Sequence, residues 1–199
     1  MRKIYIIMGK SSSGKDSIYR KLLEDDTLNL KPIVLYTTRP CRVDEKNGKD
    51  YFFVSENEMH NYERANKIIE KRKYNTIHGV WYYFTADDGQ IDFSNENDYL
   101  TINTLMGYVS ISSCFGKENV IPLYIDVEDG IRLSRALERE RKQPNPEYVE
   151  MCRRYIKDSE DFSDDKLLRY GINHIYYNID FSECIKGIKK NIKENKKLR

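Results

Sequence analysis

The segment KIYIIMGKSSSGKDS, residues 3–17, constrains the fold of this 199-residue chain more than any other stretch. The run at 3–8 is nearly continuously apolar and β-branched, which is typical of a strand buried on both faces of a parallel sheet. The glycine-rich turn after it leads into a helical pattern, so several backbone N–H groups converge at the positive end of a helix dipole. The segment therefore predicts a phosphate-binding loop between a buried strand and a helix.

This loop supplies the candidate residues of a nucleotide site. Lys15 is expected to reach the β- and γ-phosphates of a bound nucleotide as a point charge. The residue after the lysine is normally a Ser or Thr that holds Mg²⁺, but here it is Asp16, with Ser17 next, so these two are the candidate metal ligands. The predicted ATP-binding residues of the loop are Gly9, Ser11, Ser12, Ser13, Gly14, Lys15, Asp16 and Ser17.

Strand and helix patterns alternate along most of the chain. Strands are predicted at 32–37, 98–103, 120–127 and 174–178, and helices at 104–115, 128–142 and 147–170. Such alternation indicates crossover connections, and hence an α/β fold with a doubly wound parallel sheet of the P-loop NTPase type.

Residues 51–85 interrupt the alternation. Short strands there flank a helix that begins with a capping box, Ser55 and Glu58, and a turn is predicted at 76–79. We therefore predict a small mixed or antiparallel β lobe, about 36–97, inserted into a core formed by 1–35 and 98–199. Two prolines and flanking arginines at about 138–155 predict a mobile lid, and the whole chain is expected to be one domain.

Composition narrows the functional class. The formal net charge is only +2, which argues against a dedicated nucleic-acid binder. No apolar stretch approaches the roughly 18 residues of a membrane span, and the four cysteines are widely spaced, so we expect a cytoplasmic protein with reduced thiols. The basic C-terminal segment at 186–199 is expected to be a helix that packs Ile185, Ile188 and Ile192 and exposes its lysines.

The most specific motif is TTRPCRVDEKNGKDYFFVS, residues 37–55. Arg39 and Arg42 offer rigid forks of donors suited to phosphate, although by spacing alone this could be a surface loop. The motif resembles that of the guanylate kinase family at Thr37, Thr38, Arg39, Arg42, Glu45, Gly48, Asp50, Tyr51 and Phe53.

The resemblance implies transfer of a phosphoryl group from ATP, with Mg²⁺, to GMP or dGMP. It assigns the acceptor phosphate to Arg39, Arg42 and Tyr51, and guanine to Glu70. Aligning the segment WYYFT adds Tyr83 for the phosphate, with Tyr82 as the alternative, and Thr85 for guanine. It also implies Asn178 near the ATP base and lid arginines drawn from Arg135, Arg139, Arg141 and Arg154, of which Arg154 aligns best. The predicted catalytic residues are Lys15, Arg39, Arg42, Arg139 and Arg154.

The chain also departs from the family pattern. A serine expected before the TTR motif is missing, Asp44 replaces a glycine, and the acidic strand end D-I-D is replaced by Thr101, Ile102 and Asn103. Thr101 and Asn103 stay candidates for acceptor binding. Two alternatives are left open, namely a kinase of another nucleotide or small phosphorylated acceptor, and a binding module without catalysis. Such modules usually lack the loop lysine, which this chain keeps. A monomer or homodimer is expected.

Overall fold

The structure is a computed structural model that describes residues 2–76 and 79–197. Its strands are β1 (Ile4–Met8), β2 (Leu30–Pro32), β3 (Tyr36–Thr37), β4 (Phe52–Phe53), β5 (Ile68–Thr76), β6 (Gly79–Ala86), β7 (Asp98–Ile102), β8 (Val120–Asp126) and β9 (Ile175–Tyr177). Its α-helices are α1 (Lys15–Leu23), α2 (Glu56–Arg64), α3 (Leu105–Phe115), α4 (Asp129–Arg141), α5 (Tyr148–Asp161), α6 (Asp164–Arg169) and α7 (Phe181–Lys197).

A parallel sheet with the strand order β2-β7-β1-β8-β9 forms the centre of the fold. β1 is buried along its whole length because helices cover both faces of this sheet. Ile4, Ile6 and Met8 face α3 and α6, whereas Tyr5 and Ile7 face α1 and α7. The predicted α/β fold with a doubly wound parallel sheet is therefore confirmed.

A second, mixed sheet with the order β4-β3-β6-β5 lies between β2 and β7 in the sequence. β5 and β6 form a long antiparallel hairpin, and β3 joins β6 to the short β4. The predicted turn at 76–79 has its central residues, 77 and 78, outside the described residues. α2 covers the sheet and begins with the predicted capping box, in which Ser55 and Glu58 bond each other's backbone.

The strand predicted at 32–37 is wrong, since this stretch is divided between the two sheets. β2 ends at Pro32 and β3 begins at Tyr36, with buried residues between them. The side chain of Gln90 replaces a neighbouring strand there, because it accepts from Val34 N at 2.8 Å and donates to Val34 O at 3.1 Å. An apolar run therefore connects two sheets without being a strand throughout.

The helix predicted at 147–170 is also divided, because α5 ends at Asp161 and α6 begins after Ser163. The predicted break at the prolines is present, with α4 ending at Arg141 and α5 beginning at Tyr148. The C-terminal helix α7 buries Ile185, Ile188 and Ile192, as predicted. Within residues 2–76 and 79–197, none of the helices is both long enough and apolar enough to cross a membrane.

Candidate active site

The loop between β1 and α1 is closely packed against neighbouring strand ends. A Cβ added to Gly9 would lie 2.3 Å from Ile125 O, and one added to Gly14 would lie 2.2 Å from Asn178 Nδ2. Gly14 also has φ 91°, a left-handed conformation that favours glycine. Asn178 is buried and donates to Ser13 O at 2.7 Å. Asn178, for which the resemblance implies contact with the ATP base, thus holds the loop backbone.

Two serine hydroxyls of the loop have unused hydrogen-bonding capacity. In the described part of the chain, Ser12 Oγ and Ser13 Oγ are buried and have no hydrogen-bond partner. Ser12 also adopts φ 65°, which is uncommon for a residue other than glycine. Unsatisfied buried donors and a strained backbone are typical of a ligand site, so these features fit a phosphate-binding loop.

Lys15 lies at the start of α1 and donates from Nζ to Lys10 O at 3.2 Å. Burial lowers the pKa of Lys15, while the carboxylates of Asp16 and Asp158 oppose that shift. An ammonium group that has been partly removed from water interacts strongly with a bound anion. Asp16 and Ser17, the two candidate metal ligands, are exposed at the same end of the helix.

Two of the four arginines predicted for the lid lie beside this loop. Arg135 and Arg139, one turn apart on α4, line a pocket with Ser12 and residues 14–17. Arg154 is instead part of a cluster with Glu140 and Glu150, at 3.9 and 3.6 Å, and Arg141 is exposed. Arg154 is the lid residue that aligns best with the family, yet Arg135 and Arg139 are the ones beside the loop.

Arg39 is the centre of a second cationic site, in the mixed sheet. It is only 4% exposed and makes a bidentate pair with Glu45, at 2.6 and 2.5 Å. Its Nε donates to Tyr83 Oη at 3.0 Å, and its guanidinium lies 5.1 Å from the ring centroid of Tyr51. Hydrogen bonds from Arg39 hold the pKa of Glu45 below its usual range. Arg42 is exposed and bonds Glu45 through its backbone N–H at 2.9 Å.

Tyr83, and not Tyr82, faces this arginine. Neighbouring residues of a strand point to opposite faces, and Tyr82 packs with the apolar cluster of the lobe. The rings of Tyr51 and Tyr83 are 5.6 Å apart. Tyr83 is therefore the better candidate for contact with an acceptor phosphate.

Glu70 accepts hydrogen bonds from two buried side chains. The glutamate is 6% exposed, and its Oε1 accepts from Thr85 Oγ1 at 2.9 Å and from Asn103 Nδ2 at 3.2 Å. These three side chains meet although they belong to β5, β6 and the end of β7. Thr101 is not part of this cluster, because it is fully buried and donates to Ile33 O at 3.2 Å.

Charged groups of the lobe and of the core influence the pKa values of two tyrosines, Tyr51 and Tyr19. Burial raises the pKa of Tyr51, and the charge of Asp16 contributes to the shift. Burial likewise raises the pKa of Tyr19 on α1 to about 12, with contributions from Asp50 and Tyr51. Asp50 and Tyr51 of the lobe thus lie within electrostatic range of the first turns of α1.

Three residues of the site region are not among those that the sequence predicts, namely Asp158, Arg132 and Arg72. Asp158 of α5 accepts from Ser11 N at 2.6 Å, and Arg132 of α4 is fully buried with Nη1 4.0 Å from Asp158. Arg132 also lies 3.5 Å from the ring centroid of Tyr155. Asp158 and Arg132 belong to charge-rich helical stretches, so no local sequence signal distinguishes them from residues of a solvated helix face.

The fold and the site together define the class of protein. A buried parallel strand that leads into a glycine loop and a helix, with cationic side chains around the loop, is typical of P-loop nucleotide-binding proteins. A family model described as guanylate kinase matches residues 1–82. A guanylate kinase of Malacoplasma penetrans is 31% identical over 160 residues, which cover 78% of this chain and 76% of that protein. The chain belongs to the guanylate kinase family.

Two other sequence matches are shorter, and one solved structure matches over most of the chain. A guanylate kinase of Mycoplasma mobile is 37% identical over 120 residues, which cover 60% of this chain and 58% of that protein. One of Nitrosomonas europaea is 39% identical over 82 residues, which cover 41% of this chain and 39% of that protein. The crystal structure of guanylate kinase from Anaplasma phagocytophilum matches with a TM-score of 0.68 at 20% identity, over 97% of this chain and 85% of that one, and supports the fold.

Proposed function

We propose that the protein transfers the γ-phosphoryl group of ATP to GMP or dGMP. The observation that carries this proposal is the presence in one chain of two cationic sites, one around Lys15 in the core and one around Arg39 in the inserted lobe. Each is suited to a phosphate, and Tyr51 and Asp16 are close enough to influence each other electrostatically. Family membership supports the same activity.

ATP is the proposed donor, with its β- and γ-phosphates bound by the loop. Backbone N–H groups, Lys15 and the unpartnered hydroxyls of Ser12 and Ser13 would surround the phosphates, and Arg135 and Arg139 would approach from α4. Asp16 and Ser17 have the oxygen ligands that Mg²⁺ prefers and are exposed beside the loop, so they fit the ion that accompanies ATP. Mg²⁺ supplies charge neutralisation on the phosphates when it is bound.

The inserted lobe is the proposed acceptor site. Arg39, Arg42 and two tyrosines would bind the acceptor phosphate, and Glu70 would accept the ring N–H and the amino group of guanine. Adenine has an unprotonated ring nitrogen at that edge, so a buried carboxylate facing it would be left without a donor. Thr85 and Asn103, which already bond Glu70, would hold the carboxylate in place.

The proposed reaction needs little covalent chemistry from the protein. An oxygen of the GMP phosphate bonds the γ-phosphorus, the bond from that phosphorus to the β–γ bridging oxygen breaks, and ADP leaves with the electron pair. The acceptor oxygen is already anionic, so no general base is required. Lys15 and the arginines contribute by aligning the phosphates and by stabilising negative charge in the transition state.

An ADP-release assay with ATP and a panel of acceptors tests this proposal. We expect turnover with GMP and dGMP, and little or none with AMP, CMP or UMP. Strict preference for a different acceptor would contradict the guanine assignment and favour another kinase on this scaffold. Failure to bind ATP with Mg²⁺ would favour a binding module without catalysis.

Substitution of Asp16 by serine tests its proposed role in holding Mg²⁺. Asp16 is exposed, so the Asp16→Ser variant is expected to fold normally. Because a carboxylate is a stronger ligand for Mg²⁺ than a hydroxyl, we expect turnover to require several-fold more Mg²⁺ for half-saturation, about fivefold. Titration of turnover with Mg²⁺ measures this effect. The exposed Asp26, replaced in the same way, is the control, and an unchanged Mg²⁺ requirement in Asp16→Ser would exclude the role.

Substitution of Arg42 by alanine tests the acceptor-phosphate site. The side chain of Arg42 is exposed and its bond to Glu45 uses the backbone, so the substitution should spare the fold. Loss of a charge-assisted contact is expected to raise the KM for GMP by about tenfold or more, with the KM for ATP unchanged. Steady-state kinetics with each substrate varied will measure both constants. The exposed Lys49, replaced by alanine, is the control, and an unchanged KM for GMP in Arg42→Ala would contradict the assignment.

A further inference from the structure

Arg72 donates two hydrogen bonds to Glu70, the carboxylate that is proposed to bind guanine. Its Nε lies 3.1 Å from Glu70 Oε2 and its Nη2 lies 3.3 Å from Glu70 Oε1. Thr85 and Asn103 also donate to Oε1. A carboxylate accepts about four hydrogen bonds, and Glu70 already has four donors, three on Oε1 and one on Oε2.

The two donors of Arg72 have the same arrangement as the edge of guanine that Glu70 is proposed to bind. In both groups two N–H donors flank one carbon atom and form a planar fork that fits the two oxygens of a carboxylate. Guanine and Arg72 therefore compete for the same acceptor sites on Glu70. Release of this one side chain frees a site on each oxygen, whereas Thr85 and Asn103 can keep their bonds.

A released Arg72 would stand beside the proposed site of the acceptor phosphate. Its strand partner in the hairpin is Tyr83, and its guanidinium lies 5.9 Å from the centroid of the Tyr83 ring. Tyr83 in turn accepts from Arg39. The positive charges of Arg39 and Arg72 both lower the pKa of Tyr51, against the effect of burial, so both arginines lie within electrostatic range of that phenol.

We propose that Arg72 is a further acceptor-binding residue with two positions. It bonds Glu70 in this structure, and it moves to the acceptor phosphate when guanine takes its place on Glu70. The exchange couples recognition of the base to recognition of the phosphate. This inference rests on the proposed function, because it takes the acceptor to be a guanine nucleotide.

Binding of GMP and of guanosine to the Arg72→Met variant tests the inference. Methionine keeps much of the length and removes the charge and the donors. We expect guanosine to bind as well as it does to the wild type, or more tightly, because its competitor for Glu70 is gone. GMP is expected to bind at least about tenfold more weakly, because a charge-assisted contact to its phosphate is lost. Isothermal titration calorimetry measures both affinities.

Two further variants make the result specific. Arg72→Lys keeps the charge and loses the fork, so we expect it to retain most of the affinity for GMP. Lys73 is exposed on the other face of the same strand, and Lys73→Met is expected to change neither affinity. Thermal unfolding of each variant shows whether the fold is kept.

Two results with Arg72→Met would overturn the inference. If Arg72→Met weakens the binding of GMP and the binding of guanosine equally, Arg72 only holds Glu70 in place. If neither affinity changes, Arg72 is a counter-ion for Glu70 and has no contact with the acceptor. Both results leave the ratio of the two affinities unchanged, and if the wild type phosphorylates GMP, the inference then fails while the proposed function stands. A wild type that binds neither ligand would overturn both.

Discussion

Replacement of Lys15 by methionine is expected to lower the rate of phosphoryl transfer by about a thousandfold, within the range found when one stabilising group of a transition state is removed. The ammonium group is the one cationic side chain of the loop that is proposed to reach both the β- and γ-phosphates. Its loss should lower kcat more than it raises the KM for ATP, because negative charge increases in the transition state. Single-turnover measurement of the transfer step gives the rate directly.

The Lys15→Met variant is expected to keep its fold. Among the described residues, Nζ of Lys15 makes one hydrogen bond, to Lys10 O, and burial already disfavours the charge. The temperature of thermal unfolding should therefore be unchanged or slightly raised. Lys21, exposed later on the same helix, provides the matched control as Lys21→Met. A Lys15→Met protein with the fold intact and with more than about a tenth of the normal rate would contradict the assignment.

Replacement of Glu70 by glutamine is expected to have the second largest effect, a loss of about a hundredfold or more in kcat/KM for GMP. The change keeps the shape of the side chain and replaces an acceptor oxygen with an amide that donates. That amide would face a donor of guanine, which leaves buried polar groups unpaired. The KM for ATP should not change, because Glu70 lies in the inserted lobe.

Kinetics with GMP and ATP varied in turn will measure the effect of Glu70→Gln. Glu63, which pairs with Lys71 on the same lobe, is the control because it lies outside the cluster around Glu70. An unchanged kcat/KM for GMP in the Glu70→Gln variant would exclude Glu70 from base recognition. A loss of activity in Glu63→Gln of the same size would indicate a general effect on the lobe.

The elements that a short sequence window specifies are predicted well. β1 is recognised because burial on both faces of a parallel sheet demands a continuous apolar run, and α2 because Ser55 and Glu58 satisfy the first N–H groups of the helix locally. The stretch at 32–37 is predicted wrongly because the backbone of Val34, at its centre, is satisfied by Gln90, more than fifty residues away in the sequence. A contact with a distant side chain of this kind leaves no periodic signal in the sequence of the stretch itself.

The candidate site also contains residues that local sequence patterns predict and residues that they do not predict. Residues of the loop and of the motif at 37–55 follow from local patterns and from the family resemblance. The sequence names Arg135 and Arg139 among four lid candidates without singling them out, because the packing of α4 and α5 decides whether Arg139 or Arg154 lies beside the loop. Arg72 is missed for a similar reason, since an arginine in an exposed hairpin strand has the pattern of a solvated charge until its pairing with Glu70 is known.

The central claim is that one chain carries a phosphoryl group from a donor at the Lys15 loop to a guanine nucleotide in the inserted lobe. Incubation with ATP labelled on its γ-phosphate, followed by chromatographic separation of the products, tests it most directly. We expect that in the presence of GMP the label moves from ATP to GDP, in amounts equal to the ADP formed. Label released as inorganic phosphate at the same rate with and without GMP, or label that stays in ATP while both nucleotides bind, would contradict it.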